Sequence, residues 1–391
     1  MINKINEGFK LDLDHCQQCG ACFSVCPHGA IHYTPDADTG LLRFELSQDI
    51  CVKCGRCYQI CPANKDTSIR DVESYILNKH YYLGHCLDSD IRRKASSGGV
   101  VRTIIVEGLR KGYFDGVYTL RKTNSYPFAE GFFFSSGTQV NYDDIPNSVY
   151  HSVPLNLNIQ SIKRCRRLLV VGTACQLRAL YRYVKGKCDE IYSICIYCKQ
   201  QKTFESTQYL AKLAGENLKT ISDLKFVEYR GKGWPGRCQF NNSEVAWEFA
   251  ASLPFGKRLW CVSGCDNCGN PYGETSDITI MDPWGIEIDR SQGESLFSVN
   301  TQKGVELLQS FSSHIRYQEQ ETDKIKQSLS IDDIKKKNEL LPYYLGMEVS
   351  LKLQRKGERI VRKRRCLETL LSTLPRMPKV FYKIIFRLVR L

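Results

Sequence analysis

From residue 91 onward the chain alternates between two apolar rhythms. SSGGVVRTIIVEGLRKG opens on small residues and then keeps a helical period. YFDGVYTL at 113–120 alternates apolar and polar positions as a strand does. RRLLVVGT at 166–173 is a short apolar run ending in a turn, and CQLRALYRYV returns to helical spacing. EIYSICIYC at 190–198 and SDITIMD at 276–282 read as two more strands. SLFSVNT followed by KGVELLQS makes a last strand–helix pair. Strands alternating with helices predict an α/β domain over 91–315 with a largely parallel or mixed sheet. Residues 316–391 read as a helical accessory segment with a basic end.

The front of the chain has another texture. CQQCGACFSVCP at 16–27 returns as CVKCGRCYQICP at 51–62, offset by 35 residues, with six of twelve positions identical. Between the copies, AIHYTPDADTGLLRFELS reads as two short strands around a turn at Asp36–Gly40. Residues 1–66 thus form one cysteine module of α+β type, and 67–90 a helical connector to the mixed α/β domain.

Nineteen cysteines, an odd number, in a chain without an apolar leader argue for metal ligation rather than a disulfide framework. Cys16, Cys19, Cys22 and Cys26 have the spacing C-x2-C-x2-C-x3-C before Pro27; Cys51, Cys54, Cys57 and Cys61 repeat it before Pro62. The close arc lets one loop wrap three irons of a cube, and the fourth cysteine points at the other cube. One 4Fe–4S cluster is therefore assigned to Cys16, Cys19, Cys22 and Cys61, the other to Cys51, Cys54, Cys57 and Cys26. Zinc is the alternative, but zinc sites pair CxxC units across longer gaps and need no third cysteine two residues on. This module resembles bacterial-type two-cluster ferredoxins, which move single electrons.

KASSGGV at 94–100, VVGTACQ at 170–176, the IYC ending at Cys198 and CVSGCDNCG at 261–269 occur in order with SDITIMDPWG and GESLFSVNTQKG. This order resembles the beta subunits of coenzyme F(420) hydrogenases and dehydrogenases and relatives such as 7-hydroxymethyl chlorophyll a reductase. The resemblance implies an iron–sulfur flavoprotein oxidoreductase with FAD and a further 4Fe–4S cluster. It would place that cluster on Cys175, Cys198, Cys265 and Cys268, with Cys195 and Cys261 ranked behind. Ser96, Ser97, Gly98 and Gly99 precede a helix, whose free N–H groups attract phosphate, and are expected to hold FAD. A plain helix cap is the other reading of that turn. Gly172 and Thr173 in the turn before Cys175, Tyr150 and Ser152 of NSVYHS, and Arg230 and Asp282 complete the expected flavin set, with Trp284 beside them; Arg230 and Trp234 could equally cover the substrate, and Trp234 could be simple packing. Val149 departs from the family, many of whose members carry a lysine there. Cysteines 86, 165, 188, 195, 238, 261 and 366 read as structural thiols.

Clusters carry one electron at a time and organic reductions need two; FAD joins these regimes. The expected partners are a redox protein of ferredoxin type and a small-molecule substrate, which the residues do not name. The alternative is a subunit that feeds a partner enzyme and has no substrate of its own.

The net charge of +13 is concentrated in residues 351–391, where thirteen Lys/Arg face two Glu. The body is nearly neutral, which argues against a whole-body nucleic-acid binder. Lys379, Lys383, Arg387 and Arg390 share one helical face, and Val380, Phe381, Ile384, Ile385 and Leu388 the other. Such a helix suits an anionic membrane surface, or equally a groove on the protein's own body or on a partner. With no apolar run of 18 residues and no leader, the expected address is cytoplasmic, with peripheral contact to the inner membrane face through this helix.

Overall fold

The computed structural model describes residues 14–64, 72–273 and 275–374, so the amphipathic stretch from Lys379 to Arg390 lies outside the described residues. In the cysteine module, β1 (Ile31–Pro35) and β2 (Leu42–Leu46) pair antiparallel, with Ile31 opposite Leu46. Asp36 Oδ1 accepts from the Thr39 N–H (2.8 Å) and pins the turn. The short helices Ala21–Ser24 and Arg56–Ile60 start from equivalent glycines of the repeat, Gly20 (φ 84°) and Gly55 (φ 73°). A side chain at either would strain that left-handed turn.

The remaining strands are β3 (His80–Cys86), β4 (Gly116–Lys122), β5 (Ala129–Ser135), β6 (Arg167–Thr173), β7 (Glu190–Ile196), β8 (Val227–Glu228), β9 (Arg237–Phe240), β10 (Ser243–Ala246), β11 (Ile278–Met281), β12 (Ser295–Val299) and β13 (Ile315–Gln320). Eight of them form one mixed sheet in the order β13-β3-β12-β11-β7-β6-β4-β5. Its centre, β11, β7, β6 and β4, is parallel. Strands β5, β12, β3 and β13 add antiparallel edges.

Alternation along β6 and β7 builds two cores. Leu169, Val171 and Ile194 face the helix Val100–Arg110 together with Phe297 and Phe311. Leu168, Val170 and Cys195 face the helix Ala174–Val184, and this second core also takes in Cys19, Ala21 and Ile60 of the cysteine module. The module is therefore seated on the sheet through buried apolar contact. A third core lies under the small sheet β10-β9-β8; the long helix Leu351–Thr373 adds Leu367 and Leu371 to it.

The structure corrects two boundaries. Among the described residues of the expected helical connector, Val72–Leu77 and the start of the helix Ser89–Lys94 are helix, whereas HYYLGHC at 80–86 alternates and forms β3 inside the sheet. The sheet also runs past residue 315, since β13 reaches Gln320 before the accessory helices begin. No helix among the described residues is long and apolar enough to cross a membrane.

Candidate functional site

Cys26 lines a cavity of about 30 Å³ with Cys51, Cys54 and Cys57, walled by Ala30, Ile31 and Leu46. Cys22 lies within electrostatic range of Cys16 and Cys61, and Cys19 of Cys61. The last cysteine of each copy thus joins the other copy's group. Backbone N–H groups already point at sulfur: Ala30 donates to Cys26 Sγ and Gln18 to Cys16 Sγ, both at 3.3 Å. Burial raises the thiols of Cys19 and Cys22 and, against backbone donors, pushes Cys57 up to about 11. A metal centre that takes the place of the protons removes that penalty.

A third group forms at the carboxyl ends of β6 and β7. β6 leads into the helix Ala174–Val184, whose first turn carries Cys175, and Cys198 follows two residues after β7. Cys198 has Cys175 and Cys268 as charged neighbours; Cys265 has Cys198, Cys261 and Cys175. Burial is the main cause that pushes Cys198 up to about 12. Burial opposes the Cys268 thiolate as well, but Lys337, Arg178 and Arg258 outweigh it and hold Cys268 below the ordinary thiol range. Lys337 Nζ also donates to the Cys268 carbonyl. Cys195 is completely buried in the sheet core, and Cys261 Sγ sits 2.9 Å from Gln200 Oε1.

Arg178, one turn after Cys175, has all three side-chain nitrogens buried with no hydrogen-bond partner among the described residues. A permanently charged guanidinium is not left bare in a protein interior without a negative group to complete it. An anionic iron–sulfur core between the four thiols is such a group. No three His, Cys, Asp or Glu among the described residues close tightly enough for a single metal ion. A cube spreads its thiolates over separate irons and asks for a wider arrangement.

The groups are connected. Cys19 counts Cys175 among its charged neighbours. Its carbonyl accepts from the Asn156 N–H (2.8 Å), while Ser24 Oγ donates to the Asn156 carbonyl (2.8 Å). A Cβ on Gly264, beside Cys265, would stand 2.4 Å from the Cys16 carbonyl oxygen.

Cys198 also lines a cavity of about 680 Å³ on the other side. Ser96, Ser97, Gly99, Tyr150, Gly172, Thr173 and Asp282 all reach its wall, as do Val149, Trp247 and Trp284. Three expected contacts do not. Gly98 stands behind the wall and donates its N–H to Ser295 Oγ (2.8 Å). Ser152 is buried and bonded to Gln201 Oε1 (3.2 Å). Arg230 is 1% exposed and acts as a strut: it donates to both Asp282 oxygens (2.8 and 3.1 Å), to Tyr150 Oη (2.9 Å) and to the Ser96 carbonyl (2.6 Å). Trp234 Nε1 grips the same Asp282 at 3.0 Å, and its ring lies 4.6 Å from that of Trp284. Small residues at the mouth of an eleven-residue helix, aromatic walls and this volume suit a dinucleotide such as FAD.

The sequence reading passed over Arg178 and Lys337. Arg178 was within reach, since it shares a helix face with Cys175 at i+3. Lys337 lies 69 residues from its partner Cys268, and no local pattern marks it. Ser328, Ser330 and Asp333, also on the accessory helices, line the cavity, where Lys199 Nζ donates to Ser330 Oγ (3.0 Å).

Comparison with known proteins gives three family matches. Residues 15–65 match the 4Fe-4S dicluster domain. Residues 81–155 and 165–325 match the N-terminal and C-terminal parts of the coenzyme F420 hydrogenase/dehydrogenase beta subunit. An uncharacterized protein of Methanocaldococcus jannaschii is 22% identical over 301 residues, covering 69% of this chain and 80% of that protein. A chain of the xenon-derivatized F420-reducing [NiFe] hydrogenase complex from Methanosarcina barkeri is 16% identical, with a TM-score of 0.48, and the match covers 67% of this chain and 90% of that one.

Proposed function

Since this chain belongs to the coenzyme F420 hydrogenase/dehydrogenase beta-subunit family, with a 4Fe–4S ferredoxin-type domain in front, we propose that it is an iron–sulfur flavoprotein oxidoreductase with three clusters and FAD. Family and front domain make it an iron–sulfur electron-transfer protein with redox activity. The proposal adds the third cluster on Cys175, Cys198, Cys265 and Cys268, the flavin in the 680 Å³ cavity, and an organic substrate.

One observation carries the reading: from the exposed surface to the cavity, each group of cysteines lies within electrostatic range of the next. Cys54 is exposed and shares its nest with Cys57 and Cys26. Cys57 lies within electrostatic range of Cys22, Cys19 of Cys175, and Cys175 of Cys198, which lines the cavity. A ferredoxin-type donor meets the exposed end. FAD supplies the exchange between one-electron and two-electron chemistry. The protein's own part is to seat it: Ser96, Ser97 and Gly99 at the helix mouth, Tyr150 and Asp282 held by Arg230, and Trp247 and Trp284 excluding water.

Anaerobic purification followed by a visible spectrum and metal analysis tests this. The expected result is flavin plus about twelve irons per chain, the content of three cubes. A protein with zinc in place of iron, or iron without flavin, overturns the proposal. The family's name as a subunit favours a second reading, in which the flavin passes electrons to a partner enzyme. Reoxidation of the reduced flavin by a co-purifying protein, and by no small acceptor, would decide for it.

A further inference from the structure

The helix Ala174–Val184 carries Cys175, Arg178 and Arg182 at positions i, i+3 and i+7, along one face. At its far end Arg182 Nη1 donates to the carbonyls of Cys61 (2.8 Å) and Ile60 (3.1 Å), so the helix is tied to the ferredoxin-type module. At its near end Thr173 and Gln176 face the cavity. Between these anchored residues, Arg178 has nothing to bind: no carboxylate, carbonyl or hydroxyl among the described residues meets Nε, Nη1 or Nη2.

Arg178 shares its helix face with Cys175, one turn before it. It is absent from the cavity wall, so a flavin phosphate in the cavity is not its missing partner. The negative group that completes it lies on the cysteine side of the helix.

We infer that Arg178 is the fixed counter-charge and hydrogen-bond donor of the third cluster and sets that cluster's reduction potential. This rests on the third-cluster reading. Reduction of a cluster adds one electron and forms or breaks no bond, so the added negative charge must be stabilised by what already surrounds the sulfur. A buried guanidinium with five N–H donors, unshared with any carboxylate, favours the reduced form and raises the potential. The cluster beside the cavity is thereby made easier to reduce than its cysteines alone would make it. Arg178 is a positioning residue: it touches the cluster side and not the substrate.

An anaerobic redox titration of the holoprotein, followed by electron paramagnetic resonance, tests the assignment in wild type, Arg178→Gln and Arg178→Lys. With all irons present, Arg178→Gln is expected to move one midpoint to lower potential and leave the other two in place, and Arg178→Lys to move it less. Loss of about four of the twelve irons in the Gln variant, with the Lys variant complete, also supports a role of charge. Three unmoved midpoints at full iron content overturn the inference, as does equal iron loss in both variants, which would make the side chain a matter of shape. A wild-type protein with about eight irons is a different failure: it removes the third cluster, and the inference with it.

Discussion

His151 shows how far this interior departs from water. It is 1% exposed, its Nδ1 accepts a hydrogen bond from the Tyr229 hydroxyl (2.7 Å), and its Nε2–H donates to the Pro127 carbonyl (2.8 Å). Both nitrogens are used by the neutral ring, and burial lowers its pKa from 6.5 to about 4. Between those values the unfolded chain binds a proton that the folded one refuses. Stability from this residue is complete above pH 6.5, falls as pH drops toward 4, and amounts to roughly 3 kcal/mol. Denaturant midpoints of wild type and His151→Gln across that interval should converge toward pH 4, because the variant lacks the titration. Arg230 makes a second case. Replacing it with Met strands Asp282 without its main partner and leaves Tyr150 and Ser96 unheld. Arg230→Met should cost about 3 kcal/mol in unfolding and lower flavin retention after gel filtration.

Among the elements, the accessory helices do more than cover the surface. The family match ends at residue 325, yet Ser328, Ser330 and Asp333 line the cavity and Lys337 serves Cys268. Farther on, Arg364 pairs with Asp266 through both carboxylate oxygens (3.1 and 2.6 Å), and Lys212 Nζ binds the Leu371 and Leu374 carbonyls at the end of the long helix. Leu371 is 1% exposed in the third core, so Leu371→Ala should destabilise the protein by about 3 kcal/mol, seen as an earlier thermal transition. The parallel centre of the sheet was legible because β6, β7 and β11 are apolar runs of strand length before turns. β3 was not, since its alternation sits between helical stretches and its partners β12 and β13 lie more than 200 residues away. β8, β9 and β10, of two to four residues, are too short to leave a period. The cysteine spacing made the front nests legible, whereas the strut role of Arg230 depends on contacts from three separate segments, at Ser96, Tyr150 and Asp282.

At the scale of the whole molecule, the module and the large domain share one core and one seam. Gly264 is a close approach along that seam, where a Cβ would meet the backbone carbonyls of Cys16 and His15, which have no rotamer to yield. Gly264→Ala should push the two parts apart, and stopped-flow mixing with a reduced ferredoxin should show slower bleaching of the flavin at unchanged iron content. Cys175→Ser, in contrast, should remove about four irons and leave the eight of the front module in place. The proposed exchange of Cys26 and Cys61 between the two clusters would have a further consequence, for biosynthesis. While the ribosome has released only the first copy, Cys16, Cys19 and Cys22 lack their fourth thiol, and Cys26 has no cube to close. On that assignment, neither cofactor could be completed on the nascent chain until residue 61 emerges. The maturation machinery would then have to load both cubes onto a finished pair of loops, and a halved copy of the repeat would hold neither.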